Sequence, residues 1–214
     1  MDKISMYKAF IFDMDGVIVN NHEHHLKAWN LFCNKYKFDF DIKTFSERFF
    51  GKSNLEILSI LSGRNISEIE AYELGEEKEK IYRELFIQDI KPHTGLIELL
   101  EKLRSEQKLI AIASSAPISN INFVLDTLNI RKYFDAIIDV SMVKHSKPNP
   151  EIYLKAAAML KVKPSDCLVF EDSHSGIKSA LDAGMQVIVL STTHKKEELN
   201  YNLIIVDNFK HLLH

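Results

Sequence analysis

The stretch Phe10-Ile11-Phe12-Asp13-Met14-Asp15-Gly16-Val17-Ile18 carries an apolar run up to two carboxylates and then turns at a glycine. A spacing of two puts side chains on the same side of an extended backbone, so Asp13 and Asp15 can face one substrate. Gly16 permits a turn that a side chain hinders. The plainer reading of the same residues is a strand end with solvated acids. An EF-hand loop is excluded, because its glycine belongs at loop position six and Gly16 falls at four counted from Asp13.

Outward from this strand, short apolar runs alternate with helical periodicity, the pattern of parallel strands covered by helices on both faces. The spacing predicts strands over Ala9–Phe12, Leu109–Ala113, Ala136–Val140, Cys167–Phe170, Gln186–Leu190 and Leu203–Val206. Amphipathic helices are expected over Leu96–Ser105, Asn120–Leu128, Glu151–Leu160 and Gly176–Ala183. Residues 20–92 break the rhythm: they show no convincing strand and several helical patterns, with Trp29, Leu31 and Phe32 on one side, then Phe45 with Phe49, then Leu55 with Leu58. A helical lobe is therefore inserted after the first strand, and Pro92-His93-Thr94-Gly95 marks the return, since Pro and Gly punctuate the chain there. The α/β core takes 1–19 and 93–214.

The bulk numbers narrow the function classes. With 214 residues, 46% of them hydrophobic and 27% charged, the chain can bury a full core as one domain or one domain with an inserted lobe. A net charge of -3 without a dense Lys/Arg block argues against a nucleic-acid partner. No stretch approaches the roughly 18 apolar residues of a membrane span, and a cytoplasmic protein without a membrane partner is expected. Cys33 and Cys167 lie in no metal or redox spacing and read as reduced packing residues. The residues do not fix the oligomeric state; a monomer is compatible with them.

In an open parallel sheet, ligands sit beyond the carboxyl ends of the strands, so the polar residues ending each strand matter most. The first strand ends in Asp13, the second in Ser114-Ser115 and the fourth in Glu171-Asp172. The Ser114 hydroxyl and nearby amides can hold a phosphoryl oxygen, although a serine at a strand end is ordinarily a turn residue or cap. In Ser146-Lys147-Pro148-Asn149-Pro150, Pro148 biases Lys147 toward extended backbone, Asn149 can cap, and Pro150 suits a first helical position. Lys147 is thereby held ahead of a helix N-terminus, where two positive sources can meet an anion; the alternative is a solvated loop lysine. Glu171 and Asp172 near Asp13 repel one another unless a cation lies between them, and oxygen ligands of this kind suit Mg²⁺. Asp172 or Ser173 also reads as a helix cap.

Taken together, Phe12-Asp13-Met14-Asp15-Gly16, Ala113-Ser114-Ser115-Ala116, Ser146-Lys147-Pro148 and Phe170-Glu171-Asp172-Ser173-His174-Ser175-Gly176 resemble the ordered motifs of the haloacid dehalogenase-like (HAD) hydrolase superfamily. More narrowly they are similar to its β-phosphoglucomutase-like branch, and the likeness runs over essentially the whole chain, including His24-His25-Leu26-Lys27-Ala28-Trp29 and Gly51-Lys52-Ser53. The resemblance implies a Rossmann-like parallel sheet with an inserted α-helical cap. It implies Asp13 as the nucleophile that becomes an aspartyl phosphate and Asp15 as acid and then base. Ser114 and Lys147 would grip the phosphoryl group, and Mg²⁺ would be held by Asp13, the Asp15 carbonyl and Asp172, with Glu171 direct or one layer behind.

His25 matches a family position coupled to Asp15, and Lys52, Lys78 and Ser115 are further candidate substrate contacts. Against this, His22, His24 and His25 also read as an exposed polar helix face, and Lys78 lies in a charge run of the kind that is usually solvated. Gly51-Lys52-Ser53 is no P-loop, since the required earlier glycine is Ser46, and no GxGxxG is present. A mutase must also hold a second phosphate; here Asn54 follows Ser53 and Ala116-Pro117-Ile118 follows Ser115, so the distal anion grip is missing. The expected activity is phosphatase, on a small phosphorylated metabolite such as a sugar phosphate. A sugar phosphomutase and a non-enzymatic phospho-acceptor domain are the alternatives.

Overall fold

A computed structural model describes residues 4–49, 52–194, 196–199 and 201–213, without the side chains of 44 and 46–48. Gly51 of the Gly51-Lys52-Ser53 stretch and the first three residues lie outside the described set. The chain forms two compact units, residues 1–20 with 91–214 and residues 21–90; the sequence placed the inserted segment at 20–92.

The larger unit is built on six parallel strands: β1 (Ala9–Phe12), β2 (Leu109–Ala113), β3 (Ala136–Ile138), β4 (Cys167–Glu171), β5 (Gln186–Leu190) and β6 (Ile204–Val206). Their order across the sheet is β3-β2-β1-β4-β5-β6. The chain winds from β1 out to β3, then returns to the other side of β1 to begin β4. The carboxyl ends of β1 and β4 therefore flank the point where strand order reverses, which is where open α/β sheets bind ligands.

Alternation along the strands sorts the core. Ala9, Ile11, Ala111, Ala113, Cys167 and Val169 face a cluster completed by Ile152, Tyr153 and Ala156 of α7 (Glu151–Met159) and Ile177 and Ala180 of α8 (His174–Asp182). The alanines let α7 lie close over β1, β2 and β3, while α8 covers β4 and β5. Residues of opposite parity are large: Phe12 packs in tilted contact against Phe170 with ring centroids 4.7 Å apart and against Phe209 at 6.0 Å. Helix α5 (Leu96–Ser105) packs on β2 and α6 (Ile118–Thr127) follows it. Both thiols are free and buried, and burial pushes each up to about 11. Among the described residues, no helix is long and apolar enough to cross a membrane.

Several boundaries move by one or two residues, α6 starting at Ile118 rather than Asn120 and β4 running on to Glu171, and two of the shifts have a visible cause. Val140 leaves the strand for a single 3₁₀ turn, because Asp139 accepts a hydrogen bond from the Ser141 amide at 2.7 Å and bends the chain. Helix α8 begins at His174, two residues earlier than its periodicity suggests, because the Ser173 hydroxyl accepts from the Gly176 amide at 3.1 Å and caps it.

The smaller unit holds α1 (His22–Tyr36), α2 (Ile42–Phe49), α3 (Asn54–Ser62) and α4 (Glu68–Phe86), with α1 and α3 both packed on α4. Ser53 opens α3 with a capping box to Glu56, and Ser67 opens α4 by accepting from the Glu70 amide. Trp29, Phe32, Cys33, Phe45, Phe49, Ile57 and Leu58 form its core. Leu31 and Leu55, expected to face inward, are exposed, since Phe32 and Leu58 take the packed positions of their helices.

Candidate active site

The residues ending β1 and β4 meet at the reversal point. Lys147 donates to Asp13 Oδ1 at 2.6 Å, to Glu171 Oε1 at 2.8 Å and to the Ala113 carbonyl at 3.2 Å. Its ammonium lies 4.9 Å from the centre of the Tyr153 ring. The lysine arrives from the turn before α7, where Asn149 accepts from the Glu151 amide at 3.0 Å and Pro150 occupies the cap, one position before the first helical residue. Lys147 is thus buried, and its alternative as a solvated loop lysine fails.

Asp13, Glu171 and Asp172 form a buried group in which one ligand atom from each lies within 4.8 Å of the others. Two glycines make the approach possible. At Gly16, whose φ is +77°, a Cβ would fall 1.8 Å from Asp172 Oδ2, and at Gly176 a Cβ would fall 1.6 Å from Glu171 Oε1. Two carboxylates therefore lie against bare backbone, and a side chain at either position would have to push its carboxylate aside. In the turn after β1 the Met14 carbonyl faces the amides of Val17, Ile18 and Val19, the Gly16 amide donates to the Val19 carbonyl at 2.8 Å, and Asp15 is left half-buried.

The charges do not cancel. Burial raises Asp13 to about 7, with Glu171 and Asp15 adding to the rise and Lys147 opposing it. Burial likewise lifts Asp172 well above the carboxylate range, helped by Glu171 and Asp13 and opposed by Thr193 and Thr192. Burial also penalises Glu171, but Lys147 and the amides of Ser173 and Asp172 together hold it below its ordinary value. Lys147 is kept protonated by Asp13 and Glu171 against the cost of its burial. With all three carboxylates ionised, the one ammonium leaves two negative charges, the charge of one divalent cation, and the donor set is all oxygen, which suits Mg²⁺.

Glu171 is the least available ligand of the three. Its Oε1 accepts from Lys147 and, at 2.9 Å, from the Tyr153 hydroxyl. Its Oε2 accepts from the Asp172 amide at 2.8 Å, the Ser173 amide at 2.9 Å and the Ser173 hydroxyl at 3.1 Å. A carboxylate offers about four lone-pair sites, so these five donors fill it.

Ser114 is buried at the tip of β2, and its hydroxyl accepts from the Ala116 amide at 3.1 Å while Ser115 is half-buried beside it. In the helical unit, Lys78 donates to His25 Nδ1 at 2.8 Å and to Glu79 Oε1 at 3.0 Å, with the Trp29 ring centre 4.8 Å away. Lys78 and Glu79 are 2% and 3% exposed, so the charge run is not a solvated face at these two positions. Neither are the histidines: His25 stacks on Tyr82 at 3.8 Å, and His24 lies against Phe86 and bonds Asp89. Aromatic side chains one and two turns along α4 give these polar groups a surface to cover. Lys52 is exposed on the turn before α3, and among the described residues no hydrogen bond or ion pair joins it to His25 or Lys78. Sequence reasoning missed Tyr153, Thr192, Thr193 and Glu79.

A family model described as haloacid dehalogenase-like hydrolase matches residues 7–184, and the chain belongs to that family of hydrolases. Particular relatives sharpen the likeness. The chain is 37% identical to a β-phosphoglucomutase of Bacillus subtilis, covering 83% of this chain and 80% of the relative. It is 33% identical to a phosphorylated carbohydrates phosphatase of Thermotoga maritima, covering 85% and 83%. The fold superimposes on a crystal structure of a family IA, variant 3 HAD hydrolase from Entamoeba histolytica with a TM-score of 0.87 and 28% identity over 96% of this chain and 97% of that one.

Proposed function

We propose that the protein is a Mg²⁺-dependent phosphatase of small phosphorylated carbohydrates that works through an aspartyl phosphate on Asp13. The observation that carries this is the Asp13 carboxylate, held at 2.6 Å by buried Lys147 beside Asp172, with Asp15 two residues on in a turn. Asp13 attacks phosphorus, a new P–O bond forms, and the bond to the sugar oxygen breaks as Asp15 gives that oxygen its proton. Asp15 then takes a proton from the water that attacks the phosphorylated Asp13, releasing phosphate and restoring the free carboxylate. Lys147 and the Ser114–Ser115 turn hold the phosphoryl oxygens through both steps. Asp13, Asp172 and the Asp15 carbonyl, with Glu171 behind them, would hold Mg²⁺, which when bound would supply neutralisation of charge on the transferring group.

The helical segment is assigned the role of a cap supplying substrate contacts from His25, Lys78 and Lys52 that set access to the site. The competing reading is a phosphomutase, as the Bacillus relative is named. Phosphatase activity is favoured because Asn54, where a second phosphate would need a cation, donates instead to the Glu79 carboxylate at 2.9 Å. A cytoplasmic location, a small-molecule partner and no nucleic acid or membrane complete the reading.

Asp13→Asn is expected to abolish turnover with the far-UV circular dichroism spectrum unchanged, and Asp15→Asn to accumulate a phosphorylated protein seen by intact mass. Wild-type rates in Asp13→Asn would refute the assignment. Incubation with a hexose 1-phosphate separates the rivals. Sustained release of phosphate supports the phosphatase, exclusive isomerisation the mutase, and a single stable phosphorylation a phospho-acceptor domain.

A further inference from the structure

The loop after β5 brings two hydroxyls onto one atom of the site. Thr193 donates to Asp172 Oδ2, and Thr192 Oγ1 lies 3.2 Å from the same oxygen and 2.7 Å from the Gly16 carbonyl, to which it donates. The third wall of this box is Gly16 itself, where even a single added carbon would stand 1.8 Å from Oδ2. Three strand ends are tied together at this point: the turn after β1, the loop after β4 and the loop after β5.

Among the described residues, no hydrogen-bond donor reaches the other oxygen, Oδ1. Asp172 is buried, and turning its carboxylate to present both oxygens would break the Thr193 hydrogen bond and carry Oδ2 out of the pocket between the Thr192 hydroxyl and Gly16. Such a ligand binds a cation through one atom. Mg²⁺ takes six ligands at about 2.0–2.1 Å in near-octahedral geometry, which one-atom carboxylates satisfy; Ca²⁺ takes 6–8 at about 2.3–2.6 Å and draws readily on bidentate carboxylates.

We propose that Thr192 and Thr193 are positioning residues that lock Asp172 into one-oxygen presentation and so make the site select Mg²⁺ over Ca²⁺. The inference rests on the divalent-cation reading of the site given above. Neither residue touches the reacting atoms; each acts through Asp172, as partners of metal-ligating carboxylates do.

The test is calorimetric titration of the purified full chain with MgCl₂ and, separately, CaCl₂, without substrate. Wild type is expected to bind Mg²⁺ more tightly. Thr192→Val/Thr193→Val is expected to weaken Mg²⁺ by about tenfold or more while Ca²⁺ holds or tightens, collapsing the preference. Thr193→Ser, which keeps the hydroxyl, should retain the wild-type ratio, and Thr193→Ala should lose most of it. A Val/Val protein with an unchanged Mg²⁺/Ca²⁺ ratio, or one that loses both ions in equal proportion, overturns the proposal. If the double variant does not fold, equal ratios in the Ser and Ala variants overturn it instead. Wild type that binds neither ion sinks the cation reading itself, a result distinct from failure of the clamp alone.

Discussion

Each unit buries a lysine, and the two are neutralised in different ways. Lys147 meets Asp13 and Glu171, carried in by strands far away in sequence, and a further carboxylate, Asp172, stands beside them. Lys78 meets its own neighbour Glu79 and the ring of His25 on a face lined by Trp29 and Tyr82. The helical unit balances its charge locally, one ammonium against one carboxylate. The sheet unit holds more carboxylates than ammonium groups, an excess that protons on Asp13 and Asp172 or an added cation must cancel. A surplus of buried charge is costly to hold and persists where chemistry uses it, whereas a balanced pair is compatible with structure or recognition.

The sharpest way to break this contrast is Lys147→Met. Removing the Lys147 ammonium takes the ion-pair partner from Asp13 and Glu171, and about 3–5 kcal/mol of stability should be lost in EDTA by urea unfolding. Turnover should drop by about 10²–10³-fold even at saturating Mg²⁺. Near-normal turnover in this variant would remove Lys147 from the phosphoryl grip.

A smaller effect is expected in the helical unit. Lys78→Met should cost about 3 kcal/mol, because the buried Glu79 carboxylate loses its ammonium partner. Lys78→Met/Glu79→Gln should recover most of that loss, since both charges go together. Additive losses across this double-mutant cycle would mean the pair is not self-contained.

pH sharpens the comparison further. Asp13 has a folded-state pKa of about 7 against an ordinary 3.8, so between those values the native state binds more protons than the unfolded chain. The stability contributed by protonated Asp13 is full below its unfolded value and is lost as pH rises through its folded one; Asp172, also raised, extends the loss upward. In EDTA the unfolding free energy should fall on the order of a few kcal/mol across this window, and Mg²⁺ should restore it most at the alkaline end. Equal stabilisation by Mg²⁺ at pH 5 and pH 8 would contradict a surplus of ionised carboxylates.

How much of this was legible in the residues follows from the same contrast. The sheet site could be placed because every contributor but Lys147 follows an apolar run: β1 delivers Asp13, β2 delivers Ser114, and β4 delivers Glu171 and Asp172. Parallel strands share one carboxyl edge, so their last polar residues converge without any knowledge of packing. Thr192 and Thr193 escaped because a Ser-Thr-Thr run after a strand reads as an ordinary turn; only the return of the loop over Gly16 gives the hydroxyls a target. Tyr153 sits at an apolar position of α7, where periodicity reports its ring and is silent about its hydroxyl. Within Glu76-Glu77-Lys78-Glu79-Lys80, helical period alone does not say which charges turn inward. Trp29, Asn54 and His25, from two other helices, decide that Lys78 and Glu79 do.

The central place of β1 bears on how the molecule comes into being. Ala9 pairs with Leu109 on one side and Cys167 on the other. A chain made from its amino end therefore carries Asp13 on a strand that stays partnerless until residue 109 emerges, and half-partnered until residue 167. Such distant pairing slows folding and leaves an apolar edge open meanwhile. A protein halted during synthesis before β4 has no acidic pocket to assemble, so the three-carboxylate group comes into being only once residue 172 has emerged.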